Sequence, residues 1–316
     1  MLRILAKLIR LFIPPRFRPI GYLEHVVETN TGRGVAAGPF TGLRYIKGAV
    51  GSAYIPKLLG IYERELNGCV EKACALNFPL IVDVGAAEGY YAVGLARRNP
   101  KARVIAFEME EKGRAKLAEM AQLNGIDCMD MERRALARQE SASPTSRASV
   151  RGSGHSGGAS ISKSAPAGAP ASSTARSYAD GQRAGPEAGA PQLELHGKCE
   201  FENLQSALAS ADRSLVVCDV EGYEDVLLVP EKIPALARAH LLVEMHDFCC
   251  PGITERITAR FAATHRIERI WQEPRTRADL PYRTPGMALL PGRYLDWAVS
   301  EWRPERMSWL WMEPKQ

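Results

Sequence analysis

Three groups of residues in this 316-residue chain could do chemistry. The first is Ile81-Val82-Asp83-Val84-Gly85-Ala86-Ala87-Glu88-Gly89-Tyr90-Tyr91, an apolar run carrying an acid, a small-residue loop and the start of a helical pattern. A strand, loop and helix in that order form a seat for a nucleotide-type cofactor at the carboxyl end of the strand. Spacing narrows the ligand. A pyrophosphate loop places glycines as Gly-x-Gly-x-x-Gly, the third letting helix and strand pack closely. Counted from Gly85, those positions hold Gly85, Ala87 and Tyr90, and a tyrosine defeats that packing. The shorter Gly-x-Gly-x-Gly spacing is met by Gly85, Ala87 and Gly89 with one small substitution. Such a loop suits a ligand without phosphate, whose amino-acid part lies against exposed backbone. The second group is Glu108, which follows Val104-Ile105-Ala106-Phe107 and stands 19 residues after Gly89. A carboxylate at the tip of a second strand can accept hydrogen bonds from both hydroxyls of a ribose. The third group is a pair of acidic strand ends, around Asp219 and around His246.

These motifs resemble those of the class I S-adenosylmethionine-dependent methyltransferases. Val82-Asp83-Val84-Gly85-Ala86-Ala87-Glu88-Gly89 is similar to their first motif and Phe107-Glu108 to their second. Cys218-Asp219-Val220-Glu221-Gly222-Tyr223-Glu224, followed by Leu227-Leu228, resembles the Asp-x-Glu-Gly-x-Glu signature of the FkbM-type family. Ala87 replaces the middle glycine, and Glu88 stands where relatives usually carry Asn. The resemblance implies an α/β, Rossmann-like class I methyltransferase fold, with a mostly parallel seven-stranded sheet and helices on both faces. It implies S-adenosyl-L-methionine as cofactor, held by Asp83, Gly85, Ala87, Glu88, Gly89 and Glu108. Asp83 would orient the loop or reach the methionine amine, Gly85 and Gly89 would admit the methionine portion, and Glu108 would hold the ribose. The adenine would lie near Asn124–Glu132, with Asp127 or Asp130 accepting its exocyclic amine. The implied reaction is O-methylation of a hydroxyl on a small molecule or glycan. Two other functions compete: a nicotinamide-dependent oxidoreductase, weakened by Tyr90, and a non-catalytic binding protein that keeps the fold.

Methyl transfer from a sulfonium is an in-line displacement, so the enzyme mainly aligns the reacting atoms. An alcohol nucleophile also needs an acceptor for its proton. One strand end supplies Asp219, Glu221 and Glu224; the next, Leu242-Val243-Glu244-Met245-His246-Asp247, supplies Glu244, His246 and Asp247. Alternation puts Glu244 and His246 on one side of their strand. An imidazole with an ordinary pKa of about 6.5 suits a general base near neutrality. We therefore assign catalysis to His246, Glu221 and Asp219. Helix capping by the acids and a satisfied surface histidine are the plain alternatives. The same donors could hold a divalent cation, but a strand-end cluster alone assigns no metal.

The elements that must position these groups alternate along the chain. Strands are predicted at Pro79–Val84, Arg103–Phe107, Leu215–Val220, Leu241–Met245, Arg266–Trp271 and Met307–Met312. Helices are predicted at Tyr90–Arg98, Glu111–Leu123, Phe201–Ala209 and Ile253–Thr264. Such alternation means a parallel sheet covered on both faces. Gly60–Leu66 is expected to form a helix over the cofactor, and the glycine-rich Gly32–Gly51 a lid or substrate loop. Trp297, Trp302, Trp309 and Trp311 are read as core and sheet-edge packing. Residues 1–20 form a basic amphipathic segment, residues 21–75 a helical or looped cap, and residues 76–316 the methyltransferase domain. Within that domain residues 138–192 are Ser, Ala, Gly and Pro with scattered Arg, too poor in large hydrophobes to offset their ordering entropy. They are expected to be a disordered insertion.

Composition closes off other classes. Lys and Arg number 41 against 36 Asp and Glu, and residues 1–20 alone carry five basic residues and no acid, so the rest of the chain is balanced. Without a basic stripe interleaved with aromatics, a nucleic-acid substrate is disfavoured. No apolar run is long enough to span a bilayer. In Met1–Ile13 a narrow stripe of Leu2, Leu5, Ile9 and Phe12 opposes basic residues, a pattern that could touch an anionic membrane surface. A stripe this short is better explained by packing on the domain or a frayed tail. Seven cysteines in no paired spacing read as reduced thiols of a cytoplasmic protein. Oligomeric state is not legible.

Overall fold

The computed structural model describes residues 18–47, 53–142 and 192–315. The N-terminal stripe of residues 1–13 and residues 143–191 of the insertion lie outside them. Eight strands form one sheet: β1 (Leu80–Val84), β2 (Arg103–Phe107), β3 (Cys128–Asp130), β4 (Leu193–His196), β5 (Ser214–Cys218), β6 (His240–Met245), β7 (His265–Trp271) and β8 (Ser308–Pro314). Their order is β3-β4-β2-β1-β5-β6-β8-β7. All neighbours pair in parallel except β8, which runs antiparallel between β6 and β7. The fold is Rossmann-like, with one strand more than the seven expected. The extra strand is the three-residue β3 at the edge, too short to show a period.

The apolar runs become strands because both of their faces are covered. Side chains alternate sides along a strand. Ile81, Val104, Val217, Leu242 and Trp309 enter one core, which also takes in Leu23, Val27, Leu58, Val70, Val93 and Leu117 from the helices on that side. Leu80, Val82, Phe107, Val216, Val243 and Leu310 enter the other, against Leu204, Leu208, Ile257 and Phe261. The expected cap is thus continuous with the main core. All seven cysteines are free, and no helix among the described residues is long and apolar enough to cross a membrane.

Four expectations need correction. Gly60–Leu66 is not a helix: Gly60 and Glu63 adopt left-handed backbone, and only a short 3-10 turn follows at Arg64–Leu66. Within the glycine-rich stretch, Val35, Phe40, Leu43 and Tyr45 are buried, so residues 32–46 pack on the body. The ring of Phe40 lies where a Cβ on Gly94 would stand, at 2.7 Å. The helix Met131–Ala142 takes in residues 138–142, which composition places in the insertion. Trp309 and Trp311 are buried as expected, whereas Trp302 is 63% exposed and Trp297 is also exposed.

A buried ion network ties the 61–66 turn to the C-terminal segment. Arg275 Nη2 lies 2.5 Å from Glu65 Oε2 and 3.0 Å from Glu301 Oε1, and its Nε donates to Ile61 O at 2.7 Å. All three charged side chains are almost wholly buried. Removing one partner of a buried pair strands the remaining charges at about 3–5 kcal/mol. Arg275→Met is expected to lower unfolding stability by that amount in a urea titration, while the exposed-pair variant Arg277→Met changes it by less than about 1 kcal/mol.

Candidate active site

Parallel pairing sets the carboxyl ends of four strands side by side: Val84 is level with Phe107 and Cys218, and Cys218 with Val243. A cleft of about 720 Å³ opens there, lined among others by Tyr62, Asp83, Gly85, Glu108, Asp219 and His246. It sits where strand order reverses direction from β1, the usual ligand crevice of such sheets.

The loop after β1 forms the floor. Gly85 has φ +85°, and a Cβ there would stand 1.7 Å from the Asp219 carbonyl oxygen, so only glycine lets β1 and β5 meet. Gly85 N and Ala86 N both donate to Phe107 O at 3.0 Å, and Gly89 N to Ala86 O at 2.7 Å. Gly89 has φ +93° and packs against Leu117, which leaves a Cβ no room. Ala87, at the middle-glycine position, carries φ +46°. Its amide donates to Glu108 Oε2 at 2.9 Å, and Glu110 N donates to Glu108 Oε1 at 2.8 Å. Glu108 therefore braces the loop, and each oxygen keeps a lone pair for another donor. Gly113, which sequence reasoning did not single out, makes room for it: a Cβ there would stand 2.7 Å from Glu108 Cγ.

Asp83 is buried, and its Oδ2 has no hydrogen-bond partner. Burial pushes its carboxyl up to about 7; the Ala92 amide opposes this, and the charges of Asp219 and Glu108 reinforce it. Glu88 behaves differently. Its carboxylate is buried 2.7 Å from Lys57 Nζ and accepts the Tyr45 hydroxyl at 2.5 Å. Burial alone would raise its pKa, yet Lys57 and Tyr45 together leave it below the ordinary value. It holds the loop to the N-terminal segment, with its charge taken up by Lys57 at the border of the cleft.

Opposite the loop stands the acidic cluster. His246 Nε2 lies 3.5 Å from Asp219 Oδ1, 3.5 Å from Glu221 Oε2 and 4.0 Å from Glu244 Oε2. His246 Nδ1 lies 2.8 Å from Glu224 Oε1, which also accepts Val220 N at 3.0 Å. Burial would lower the imidazole's pKa, but Glu224, then Asp219 and Glu221, outweigh it and hold it above 6.5. Arg303 pairs with both Glu244 and Glu63, and Glu63 also accepts the Tyr91 hydroxyl at 2.5 Å.

The structure thus brings Asp83, Gly85, Ala87, Glu88 and Glu108 to one wall and Asp219, Glu221 and His246 to the other, while Gly89 packs behind the loop against Leu117 and Val93. It does not bring Asp127 or Asp130 to the cleft. Because β4 inserts between β2 and β3, the segment Gly197–Cys199 borders the cleft on that side. Asp130 instead accepts the Arg133 amide at 3.1 Å. Arg303 and Trp302 were not legible as site residues, since no local motif marks them. Trp302 overhangs the mouth with φ +58°, strained for a bulky residue.

No protein-family profile matches the chain, and no curated protein matches it at a significant level. Several solved structures resemble it distantly. They include the O-methyltransferase TomG from Streptomyces achromogenes in complex with SAM, with TM-score 0.34, 13% identity, and coverage of 64% of this chain and 70% of that one. A putative O-methyltransferase from Klebsiella pneumoniae has TM-score 0.38 and 12% identity, covering 98% and 95%. A precorrin-6y C5,15-methyltransferase from Geobacter metallireducens has TM-score 0.38 and 10% identity, covering 79% and 88%. Likeness at this level leaves the function to be argued from the site.

Left-handed backbone costs a residue with a Cβ about 1–2 kcal/mol. Ala87→Gly relieves that strain without touching Glu108's bond to the amide. The variant is expected to unfold at a denaturant midpoint higher by the equivalent of about 1 kcal/mol; an unchanged or lower midpoint would show that the methyl group packs usefully.

Proposed function

We propose that the chain is an S-adenosyl-L-methionine-dependent O-methyltransferase of the class I type. The observation that carries this reading is the unpartnered carboxylate oxygen of Asp83, buried at the end of β1 beside a loop open to the cleft. A buried oxygen without a donor is costly, and an amino-acid ammonium would repair it. The rest of the wall fits the same cofactor. Gly85 allows close backbone approach, and Glu108 keeps lone pairs for ribose hydroxyls. A pyrophosphate fits poorly, because the third-glycine position is the buried Tyr90, packed edge-on against Phe40 and Tyr62.

When bound, the cofactor supplies an electrophilic methyl on sulfur. The chain's own part is alignment and proton removal. Asp83 fixes the amino-acid end of the cofactor and Glu108 its ribose, while Tyr62 and Trp302 line the same cleft. Asp219, Glu221 and His246 face the acceptor hydroxyl and take its proton. This work needs neutral His246, so turnover rises with pH through a value above 6.5. The acceptor is a hydroxyl on a small molecule or glycan, and the FkbM-type signature at Asp219–Glu224 is the feature that points to that class.

Asp83 makes the cofactor assignment testable by pH. Its carboxyl, pushed up to about 7, must ionise to pair with an ammonium. About a tenth of it is ionised one pH unit below that value and about nine-tenths one unit above. Calorimetric titration with S-adenosylhomocysteine is therefore expected to show about tenfold tighter binding at pH 8 than at pH 6. Asp83→Asn should abolish the pH dependence and most of the affinity. A pKa raised on folding also means that the empty protein loses stability as pH rises through about 7, and the Asn variant should not. Binding retained by Asp83→Asn at full strength and without pH dependence would overturn the reading.

A further inference from the structure

Among the described residues Lys57, Lys198 and Arg303 are the lysines and arginines that line the cleft, and each already faces an acid. Lys57 Nζ stands 2.7 Å from Glu88, Lys198 Nζ 3.1 Å from Glu200, and Arg303 divides itself between Glu63 and Glu244. Asp219 and Glu221 are left over. Within 4.0 Å, the basic group that the described residues bring to them is His246 Nε2, at 3.5 Å from each. That nitrogen must be without a proton to act as a base, so in the working state these two carboxylates lack a charge partner. Behind them Glu244 is wholly buried, and its Oε2 has no hydrogen-bond partner although it lies 4.0 Å from the same nitrogen. Carboxylates gathered this closely are costly unless a cation reaches them.

The rings around this corner suit the same kind of ligand. Phe248 and Trp302 line the cleft and are exposed, and the Phe248 ring lies 5.9 Å from that of His246. Aromatic faces attract cations. The cleft already uses them so: Lys198 Nζ stands 6.0 Å from the centroid of the Tyr223 ring, and Lys57 Nζ 4.7 Å from that of Tyr62. A neutral acceptor would leave the charge of Asp219 and Glu221 unanswered, and an anionic one would add to it.

We propose that the acceptor is a vicinal amino alcohol, bound with its ammonium on Asp219 and Glu221 and its hydroxyl on His246 Nε2. The class deepens the O-methyl transfer proposed above and rests on it. Both carboxylates lie 3.5 Å from that nitrogen, so a cation that bonds to them stands beside the hydroxyl the imidazole serves. A two-carbon unit spans the two positions. Glu224, 2.8 Å from Nδ1, leaves Nε2 as the nitrogen facing the acceptor. The ammonium gives the two carboxylates their charge partner, which lets Nε2 stand unprotonated among acids. The hydroxyl oxygen then bonds to the methyl carbon as the carbon–sulfur bond breaks, and the hydroxyl proton passes to Nε2. The amine, kept protonated by two carboxylates, has no lone pair and is not methylated.

The test is ligand-observed NMR on the full chain near neutral pH with S-adenosylhomocysteine present, comparing 2-aminoethanol with ethylene glycol and glucosamine with glucose. Each amine is expected to bind about tenfold tighter than its neutral counterpart. Asp219→Asn and Glu221→Gln should each cut that preference to about threefold or less. Phe248→Leu should weaken the amines about threefold and leave the neutral compounds unchanged. Glu221 and Phe248 are exposed, so their variants keep the fold and the test stands even where Asp219→Asn does not fold. Binding of neither amine, no preference in either pair, or a preference that the carboxylate variants leave intact overturns the proposal. Calorimetric titration of the same samples with S-adenosylhomocysteine separates the two readings: cofactor bound without amine preference removes only the acceptor class, and amine preference without cofactor binding removes the methyltransferase reading.

Discussion

Like charge at one edge of the sheet is the constraint on which the rest of this structure depends. Four parallel strands held in register deliver Asp83, Glu108, Asp219 and Glu244 to the same edge. Unit charges a few ångströms apart repel by several kcal/mol even at an effective dielectric of about 20. The fold offsets this from outside the sheet. Arg303, from the segment before β8, reaches in to Glu244 and Glu63, while Glu108 is turned onto two loop amides. Arg275 in turn anchors Glu301 and Glu65, and Glu301 accepts the Glu63 amide at 3.0 Å. The cleft walls are therefore joined by charge as much as by packing.

What is not offset marks the places where ligands belong. Asp83 keeps a bare oxygen on the loop side, and three carboxylate oxygens stay bare on the His246 side. Gly85 brings the two sides together, because its missing side chain lets the β1 loop touch the Asp219 carbonyl. A cationic group at each bare position would lower the energy of the whole edge. On the proposed reading, cofactor affinity and fold stability are two expressions of the same electrostatic problem.

Much of this was legible in the sequence, for identifiable reasons. The helices Tyr90–Arg98, Glu111–Leu123 and Phe201–Ala209 and the strand Arg103–Phe107 fall where the apolar period puts them. Short, fully buried strands next to amphipathic helices leave little freedom in register. The loop wall of the cleft was legible because its residues are local to β1 and β2. Elsewhere the pattern ran out. The three-residue β3 has no period to detect, and the insertion of β4 beside β2 moved Asp127 and Asp130 away from the cleft. Arg303 and Trp302 reach the site from almost 60 residues beyond β6, through tertiary pairing that no local spacing encodes. Glu88 sits in the motif, but its carboxylate answers to Lys57, from the separate short helix Tyr54–Leu59.

The proposed function turns on whether the bare oxygen of Asp83 receives the amino-acid end of S-adenosylhomocysteine. A crystal structure of the chain with that ligand measures this directly. The ligand ammonium is expected within about 3 Å of Asp83 Oδ2 and the ribose hydroxyls on Glu108, at ordinary hydrogen-bond lengths. A ligand bound with its amine elsewhere and Asp83 still unpartnered, or a cleft that stays empty at saturating ligand, would contradict it.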